Sequence, residues 1–279
     1  MLTDADDRPT CLVVGSPIAH SLSPVLHRAA YAELGLDWRY EAVELLEDQL
    51  APYLAQHPIR GVSLTMPLKQ VALALAVEAD PVAITVGAAN TLTPVDGGWR
   101  ADNTDIPGAV AALGWHGITD LTDASVVIVG AGGTARGMLA ALDRLGADGV
   151  RVLARRPDVA VAALAPVADA LGIRLTVELL TAGAFGRPDL LVATAPACAL
   201  DEFAESAAGA AIVFEVLYHP WPTALVVAAQ RAGARVVGGL DLLVGQAATQ
   251  VALMTGCAIA PVEAMRTAGA AALAARHAS

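Results

Sequence analysis

The sequence predicts an α/β protein of two domains, each a parallel sheet wound with helices, with the C-terminal helices returning to the first domain. Three observations carry this reading. The chain has 279 residues, enough for two domains of ordinary size. Short β-branched runs alternate with helical stretches along most of its length, the order that builds parallel sheets. A glycine cluster at 130–133 stands between a strand and a helix.

The glycine cluster is the sharpest signal. Val126 to Val129 are four β-branched apolar residues and read as a buried strand. Gly130, Ala131, Gly132, Gly133 and Thr134 follow at once. Residues 138–145 then carry apolar side chains at helical spacing, closed by Gly146. A strand-to-helix turn is where a dinucleotide fold needs glycine. Gly130 permits the tight turn, and Gly132 lets the backbone approach a pyrophosphate. Gly133 and Ala135 keep the helix start free of bulk. The helix N-terminus offers bare N–H groups and partial positive charge to the phosphates.

The next strand selects the nucleotide. It runs over residues 149–154 and ends on Ala154, Arg155 and Arg156. An NAD site places an acid there, about 20 residues past the first glycine, to hold the ribose hydroxyls. A guanidinium instead pairs with a 2′-phosphate. This half is therefore read as a Rossmann-type, doubly wound NADP-binding domain. The plain alternative is that both arginines are a solvated strand end.

Composition narrows the partners. The formal net charge of −11 argues against nucleic acid and anionic membranes. Cys11, Cys198 and Cys257 are odd in number and far apart, with no metal-ligand spacing, which points to a reduced cytoplasmic setting. The six histidines, His20, His27, His57, His116, His219 and His277, show no ligand spacing either, so no metal is expected. The N-terminal run Leu2 to Asp7 is acidic where a signal peptide would be basic. The uncharged run Leu242–Val262 carries Gln246, Thr249 and Gln250 and then Gly256 and Pro261, so it reads as a buried helix that breaks near Gly256. Of 17 basic residues only Lys69 is lysine. Arginine cannot release its proton in a protein and lysine can, which singles out Lys69 for proton transfer.

Taken in order, Thr10–Gly15 is an apolar strand and Pro24–Leu34 a helix, with Ser23 as N-cap and Gly35 as its stop. Arg39–Leu46 alternates as a second strand, and Asp48–His57 is a helix. Gly61–Met66 is a third strand stopped by Pro67, and Lys69 opens a helix to about Ala79. This βαβαβα order implies a parallel sheet, with ligands beyond the carboxyl ends of its strands. Ser21, Ser23, Thr65 and Lys69 fall at those ends. Residues 87–92 and 98–105 flank a turn at Asp96-Gly97 and read as a hairpin, and a helix over 106–113 leads out. Strands near 125–130, 149–155, 173–178, 189–195, 210–218 and 234–239 build the second domain. Helices over 241–255 and 261–276 finish the chain. The expected division is 1–105 with 240–279 against 106–239.

Six stretches occur in an order and spacing that resemble the shikimate dehydrogenase family over nearly the whole chain. They are Ser21-Leu22-Ser23-Pro24, Leu64-Thr65-Met66-Pro67-Leu68-Lys69, Ala89-Asn90-Thr91-Leu92, Asp102-Asn103-Thr104-Asp105, Gly130-Ala131-Gly132-Gly133, and Gly239-Leu240 with Gln246. The resemblance implies NADPH-dependent reduction of 3-dehydroshikimate to shikimate in aromatic amino-acid biosynthesis, by a monomer or homodimer. It implies that Ser21 and Ser23 bind the substrate carboxylate and that Thr65, Asn90 and Gln246 hold ring hydroxyls. Lys69 and Asp105 would be the catalytic pair, and Tyr218 a further substrate contact. Thr194, Val216 and Gly239 would join the glycines and arginines at the cofactor, Gly239 against the nicotinamide. The chain departs from the family pattern at Ala154, where Asn is common, at Glu215 for Asp, at Ala224 for Pro, and at Ile106 for Gly.

Two rivals share this fold. Quinate or quinate/shikimate dehydrogenases often carry Ser-x-Thr at the carboxylate site and an acid for NAD at the strand end, and Ser23 and Arg155 argue against them. A non-catalytic, metabolite-sensing regulator is the second, against which Lys69 and Asp105 are both kept.

Overall fold

The structure, a computed structural model, describes residues 8–278. The acidic run Leu2 to Asp7 and the side chain of His277 lie outside the described residues. The chain divides into two compact units, Asp105–Gly245 and the remainder, to which Gln246 and everything after it belong.

The first unit runs through β1 (Thr10–Gly15), α1 (Ser23–Glu33), β2 (Arg39–Glu44), α2 (Leu50–Gln56), β3 (Ile59–Leu64) and α3 (Lys69–Leu75). It continues with β4 (Glu78–Ala79), α4 (Pro81–Val86), β5 (Thr91–Val95) and β6 (Gly98–Asp102). The strand order is β2-β1-β3-β5-β6-β4. The first three strands are parallel, as their crossover helices require. β5 is antiparallel to β3 and β6, so the sheet is mixed where a parallel one was expected. The hairpin at Asp96-Gly97, expected from the sequence, accounts for the antiparallel β5–β6 pair; Gly97 supplies φ +84° at its turn. Leu12, Val14, Val62, Leu64 and Leu92 form the core with Leu50, Leu54 and Leu68 from the covering segments.

Three local expectations change here. Ser23 is not the N-cap of α1: Leu22 takes that place, and Ser21 Oγ accepts the Ser23 N–H at 3.3 Å. The stretch expected as a helix from Asp48 opens as a 3₁₀ turn, Glu47–Gln49, in which Gln49 Oε1 accepts the Leu46 N–H at 2.9 Å. The helix expected to reach Ala79 stops at Leu75. Val77 N–H donates to the Trp99 carbonyl and Asp80 N–H to the Ala101 carbonyl, which recruits 77–80 to the edge of β6. Asp80 then caps α4 through the Val82 N–H at 3.2 Å, with Pro81 in the first turn and Gly87 at φ +65° as its stop.

The second unit runs α5 (Asp105–Trp115), β7 (Val126–Val129), α6 (Gly133–Arg144), β8 (Gly149–Ala154), α7 (Pro157–Leu171) and β9 (Arg174–Leu179). It then takes β10 (Leu190–Ala193), α8 (Ala204–Ala207), β11 (Ile212–Glu215), α9 (Ala224–Arg231), β12 (Arg235–Val237) and the start of α10 (Gly239–Thr255). The order is β12-β11-β10-β7-β8-β9, parallel throughout. This is the doubly wound order, with its switch point between β7 and β10. Both strands there are buried at every residue, as continuous apolar runs in a sheet covered on two faces must be. A Cβ on Gly245 would lie 2.6 Å from the Gly108 carbonyl oxygen, so α5 and α10 approach backbone to backbone.

α10 crosses the division between the units. It ends at Thr255, and Gly256 at φ +76° breaks the uncharged run there. The last helix, α11 (Val262–Ala278), packs on α1 in the first unit. Among the described residues no helix is long and apolar enough to cross a membrane.

Candidate active site

In the second unit the switch point is built on one glycine. Gly130 follows β7 at φ +111°, which an L side chain rarely adopts. A Cβ on it would stand 2.6 Å from Thr194 Oγ1. Thr194 follows β10, and its hydroxyl donates to the Val129 carbonyl at 2.9 Å. The two strand ends thus close on each other, and a cavity of about 440 Å³ opens beyond them. Gly130, Ala131, Gly132 and Thr194 line one part of it, with Ala154, Arg155 and Arg156 on another. Gly132 precedes α6, where a Cβ would meet nothing within 4 Å, and Gly133 opens that helix with Thr134 next. No atom of the protein requires glycine at 132, whereas Gly130 is required by the fold. Arg155 and Arg156 are both exposed, and among the described residues no carboxylate pairs with either. Ala154, the last residue of β8, is buried.

β11 ends beside β10, and the Val216 N–H donates to the Ala193 carbonyl at 3.2 Å. A Cβ on Gly239 would lie 2.4 Å from the Leu217 carbonyl carbon and 2.5 Å from the Val216 carbonyl oxygen, so backbone packing alone demands glycine there. Glu215 is 2% exposed. It accepts the Leu217 N–H at 3.2 Å and the Thr223 hydroxyl at 3.1 Å. Burial pushes its carboxyl up to about 7, against the pull of those two donors. Thr223 also caps α9. The segment from 216 to 223, which holds Tyr218, is therefore tied at both ends to one buried carboxyl. Trp221 packs on Gly238, where a Cβ would lie 3.1 Å from the indole.

The first unit repeats the device with other residues. Its switch point lies between β1 and β3. A Cβ on Gly15 would lie 2.4 Å from Thr65 Cγ2 and 2.8 Å from the Met66 carbonyl oxygen, and Ser16 N–H donates to that carbonyl at 2.9 Å. Ser21 and Ser23 stand at the start of α1, after β1. Thr65 follows β3, its carbonyl accepts the Leu68 N–H, and Lys69 opens α3. The Lys69 carbonyl accepts the Ala89 N–H at 2.9 Å, which ties α3 to the segment carrying Asn90.

Asn90 is 2% exposed, and its Oδ1 is held from several sides. Thr104 N–H donates to it at 2.8 Å, and the hydroxyls of Thr91 and Thr104 lie 2.9 and 3.1 Å away. Thr104 Oγ1 is also 3.5 Å from Gln246 Oε1, so Thr104 links two of the expected ring contacts. Asp105 follows at once, as the first residue of α5 and of the second unit.

The sequence reading missed Gly15, Thr104, Ser63, Tyr40 and Gln250 as site-building residues. Only Thr104 and Gln250 left a signal: the polar run 102–105 after a strand, and a second glutamine one turn after Gln246. Among the described residues no group of three or more His, Cys, Asp or Glu could hold a metal ion. The three cysteines are free, and burial pushes the Cys11 thiol up to about 11.

The fold and the glycine-bound cavity define a two-unit α/β chain with a Rossmann-type dinucleotide-binding unit. A family model, the shikimate dehydrogenase substrate binding domain, matches residues 13–92. The chain is 34% identical over 277 residues to the shikimate dehydrogenase (NADP(+)) of a Nostoc species, covering 92% of this chain and 94% of the relative. It matches the crystal structure of Mycobacterium tuberculosis shikimate dehydrogenase with a TM-score of 0.87 and 40% identity, over 94% of this chain and 99% of the other. For Thermus thermophilus shikimate 5-dehydrogenase, solved in complex with NADP(H) and shikimate, the TM-score is 0.82 at 32% identity, over 95% and 99%. The chain belongs to the shikimate dehydrogenase family.

Proposed function

We propose that this protein catalyses the reversible NADPH-dependent reduction of 3-dehydroshikimate to shikimate, in aromatic amino-acid biosynthesis. The observation that carries the reading furthest is Lys69. The chain's single lysine opens a helix at the carboxyl end of β3, four residues past the threonine that closes the β1/β3 switch point.

NADP suits the residues of the second unit. Gly132 leaves room for a pyrophosphate to approach the backbone, and the bare N–H groups of α6 favour anionic charge. Arg155 pairs with the 2′-phosphate and Arg156 shares that charge. Ala154 ends β8 without a polar side chain that could have added to this grip. Gly130, Ala131, Gly133, Thr134 and Thr194 shape the turn, while Val216 and Gly239 form the wall against the nicotinamide.

The bound cofactor supplies the hydride that adds to the carbonyl carbon. Lys69, as its ammonium, stabilises the charge left on the carbonyl oxygen and gives it a proton, ending as the neutral amine, so that C=O becomes CH–OH. Asp105 is the second member of the catalytic pair and binds a ring hydroxyl. Ser21 and Ser23 bind the substrate carboxylate; Thr65, Asn90 and Gln246 hold ring hydroxyls, with Tyr218 as a further contact. Because Oδ1 of Asn90 is committed to Thr91 and Thr104, the amide is held in one orientation. The protein works in the cytoplasm as a monomer or homodimer, in line with three free cysteines.

The test is a steady-state assay that follows reduced nicotinamide by its near-ultraviolet absorbance, with shikimate or quinate and NADP or NAD. Turnover of shikimate with NADP, far above the other three combinations, is the expected result. Comparable rates with quinate and NAD would make it a quinate/shikimate dehydrogenase, and no turnover of any pair would make it a metabolite-sensing regulator.

A further inference from the structure

Gln250 lies in α10 one turn beyond Gln246 and is 1% exposed. Burying a primary amide is costly unless its hydrogen-bonding positions are used. Here all four are. Oε1 accepts the Ser63 hydroxyl at 2.8 Å and lies 3.3 Å from His27 Nε2. Nε2 donates to the Asn90 carbonyl and to Thr91 Oγ1, each at 3.1 Å.

The partners are constrained in turn. Tyr40 donates its hydroxyl to Ser63 Oγ at 2.6 Å, which directs the Ser63 proton to Gln250. An amide oxygen only accepts, so His27 carries its proton on Nε2. Burial pulls the His27 imidazole down to about 3, and it stacks on Tyr40 at 3.9 Å as a neutral ring. His27 Nδ1 is the bare acceptor left over, a buried atom without a partner. Thr91, receiving from Gln250, donates its own hydroxyl to Asn90 Oδ1 at 2.9 Å. Gln250 therefore reaches Asn90 twice, once at the backbone carbonyl and once through Thr91 at the side chain.

The geometry points to Gln250 as a positioning residue for substrate recognition: its amide fixes Asn90 and Thr91 at the start of β5, and so sets where the Asn90 amide meets a ring hydroxyl. This rests on the proposed shikimate-binding role of the first unit. Gln250 itself is sealed among Ser63, His27, Asn90 and Thr91, so it acts through Asn90 and not by contact.

Two variants test it. Gln250→Met keeps the volume and loses all four bonds, whereas Ser63→Ala removes one bond to Oε1 and leaves the two donors to Asn90 and Thr91 in place. Three quantities are measured: the KM for shikimate, the KM for NADP, and the hydrogen-exchange rate of the Thr104 amide, which reports on Asn90 Oδ1. For Gln250→Met the shikimate KM rises by about 10-fold or more, near the worth of one net hydrogen bond, while the NADP KM stays within about twofold. Thr104 exchange accelerates by a similar factor, and amides of the second unit's sheet hold their rates. Ser63→Ala gives a smaller change of the same kind. An unchanged shikimate KM, or equal rises in both KM values with exchange faster everywhere, overturns the proposal. If Gln250→Met does not fold, Ser63→Ala decides on the same readouts. If the wild type does not turn over shikimate, the functional reading fails, and Thr104 exchange alone still decides whether Gln250 positions Asn90.

Discussion

The two units solve one geometric problem with different chemistry. Each closes its switch point by setting a glycine at the end of one strand against a threonine at the end of the next: Gly15 on Thr65 in the first unit, Gly130 on Thr194 in the second. Beyond the first lies a buried polar network of Tyr40, Ser63, Asn90, Thr91, Thr104 and Gln250. Beyond the second lie backbone groups, apolar walls and two exposed arginines. The hydroxyls of a polyhydroxylated ring need oriented side-chain donors and acceptors, held still by partners behind them. A phosphorylated dinucleotide needs close backbone approach and fixed positive charge. The same crevice is specialised by what backs it.

The largest expected effect belongs to the first unit's lysine. Lys69→Met cuts turnover by about 10²–10⁴-fold while shikimate affinity stays within an order of magnitude, the range for a lost acid–base group. Turnover near wild type would remove Lys69 from the chemistry and leave the first unit a binding surface only.

The paired glycines come next. Gly130→Ala forces a positive φ on alanine and drives its Cβ onto Thr194, costing about 1–3 kcal/mol of stability. Gly15→Ala has no φ strain but meets Thr65 and the Met66 carbonyl. Thermal unfolding with KM measurements separates them: Gly130→Ala weakens NADP, and Gly15→Ala, by moving Thr65, weakens shikimate. Loss of the same substrate in both variants would break the parallel between the two crevices.

The two units should also respond to pH in opposite directions. His27 in the first unit has its pKa lowered to about 3, so its contribution is present above about 6.5 and is lost as pH falls toward 3. Glu215 in the second has its pKa raised to about 7, so the folded state holds its proton longer than the unfolded chain. Its contribution is greatest below about 4.5 and is lost as pH rises toward 7. Relative to wild type, His27→Phe should therefore gain stability as the solution is acidified, and Glu215→Gln as it is made neutral. Each should change on the order of 1 kcal/mol per pH unit inside its window, read from denaturant midpoints. Slopes of the same sign would mean that the two groups are not buried as described.

The second unit was more legible in the sequence than the first. Its central strands β7 and β10 are uninterrupted apolar runs bounded by turn residues, the pattern that a parallel sheet covered on both faces demands. In the first unit β4 has two residues and exists only because β6 pairs with it, so no local signal marks it. α4 did carry its signals, Asp80-Pro81 before it and Gly87 after, but six residues are too few to show a period. In the site, Ser21, Thr65, Lys69 and the glycines are legible because they stand at strand ends. Gln250 leaves only a faint signal, a second glutamine one turn after Gln246, because its bond to Ser63 spans 187 residues and its function is defined by what it touches.

The central claim, that each unit reads one of the two substrates, is tested most directly by two variants in one kinetic matrix. Arg155→Ala and Asn90→Ala are each assayed for the KM of NADP and of shikimate at low and high salt. Arg155→Ala should raise the NADP KM by roughly 10–100-fold, less at high salt because the loss is electrostatic, and leave shikimate and the weak use of NAD unchanged. Asn90→Ala should raise the shikimate KM by about 10-fold or more, with no salt dependence, and leave NADP unchanged. Rises in both KM values for either variant, or an equal loss of NADP and NAD on removing Arg155, would contradict the account.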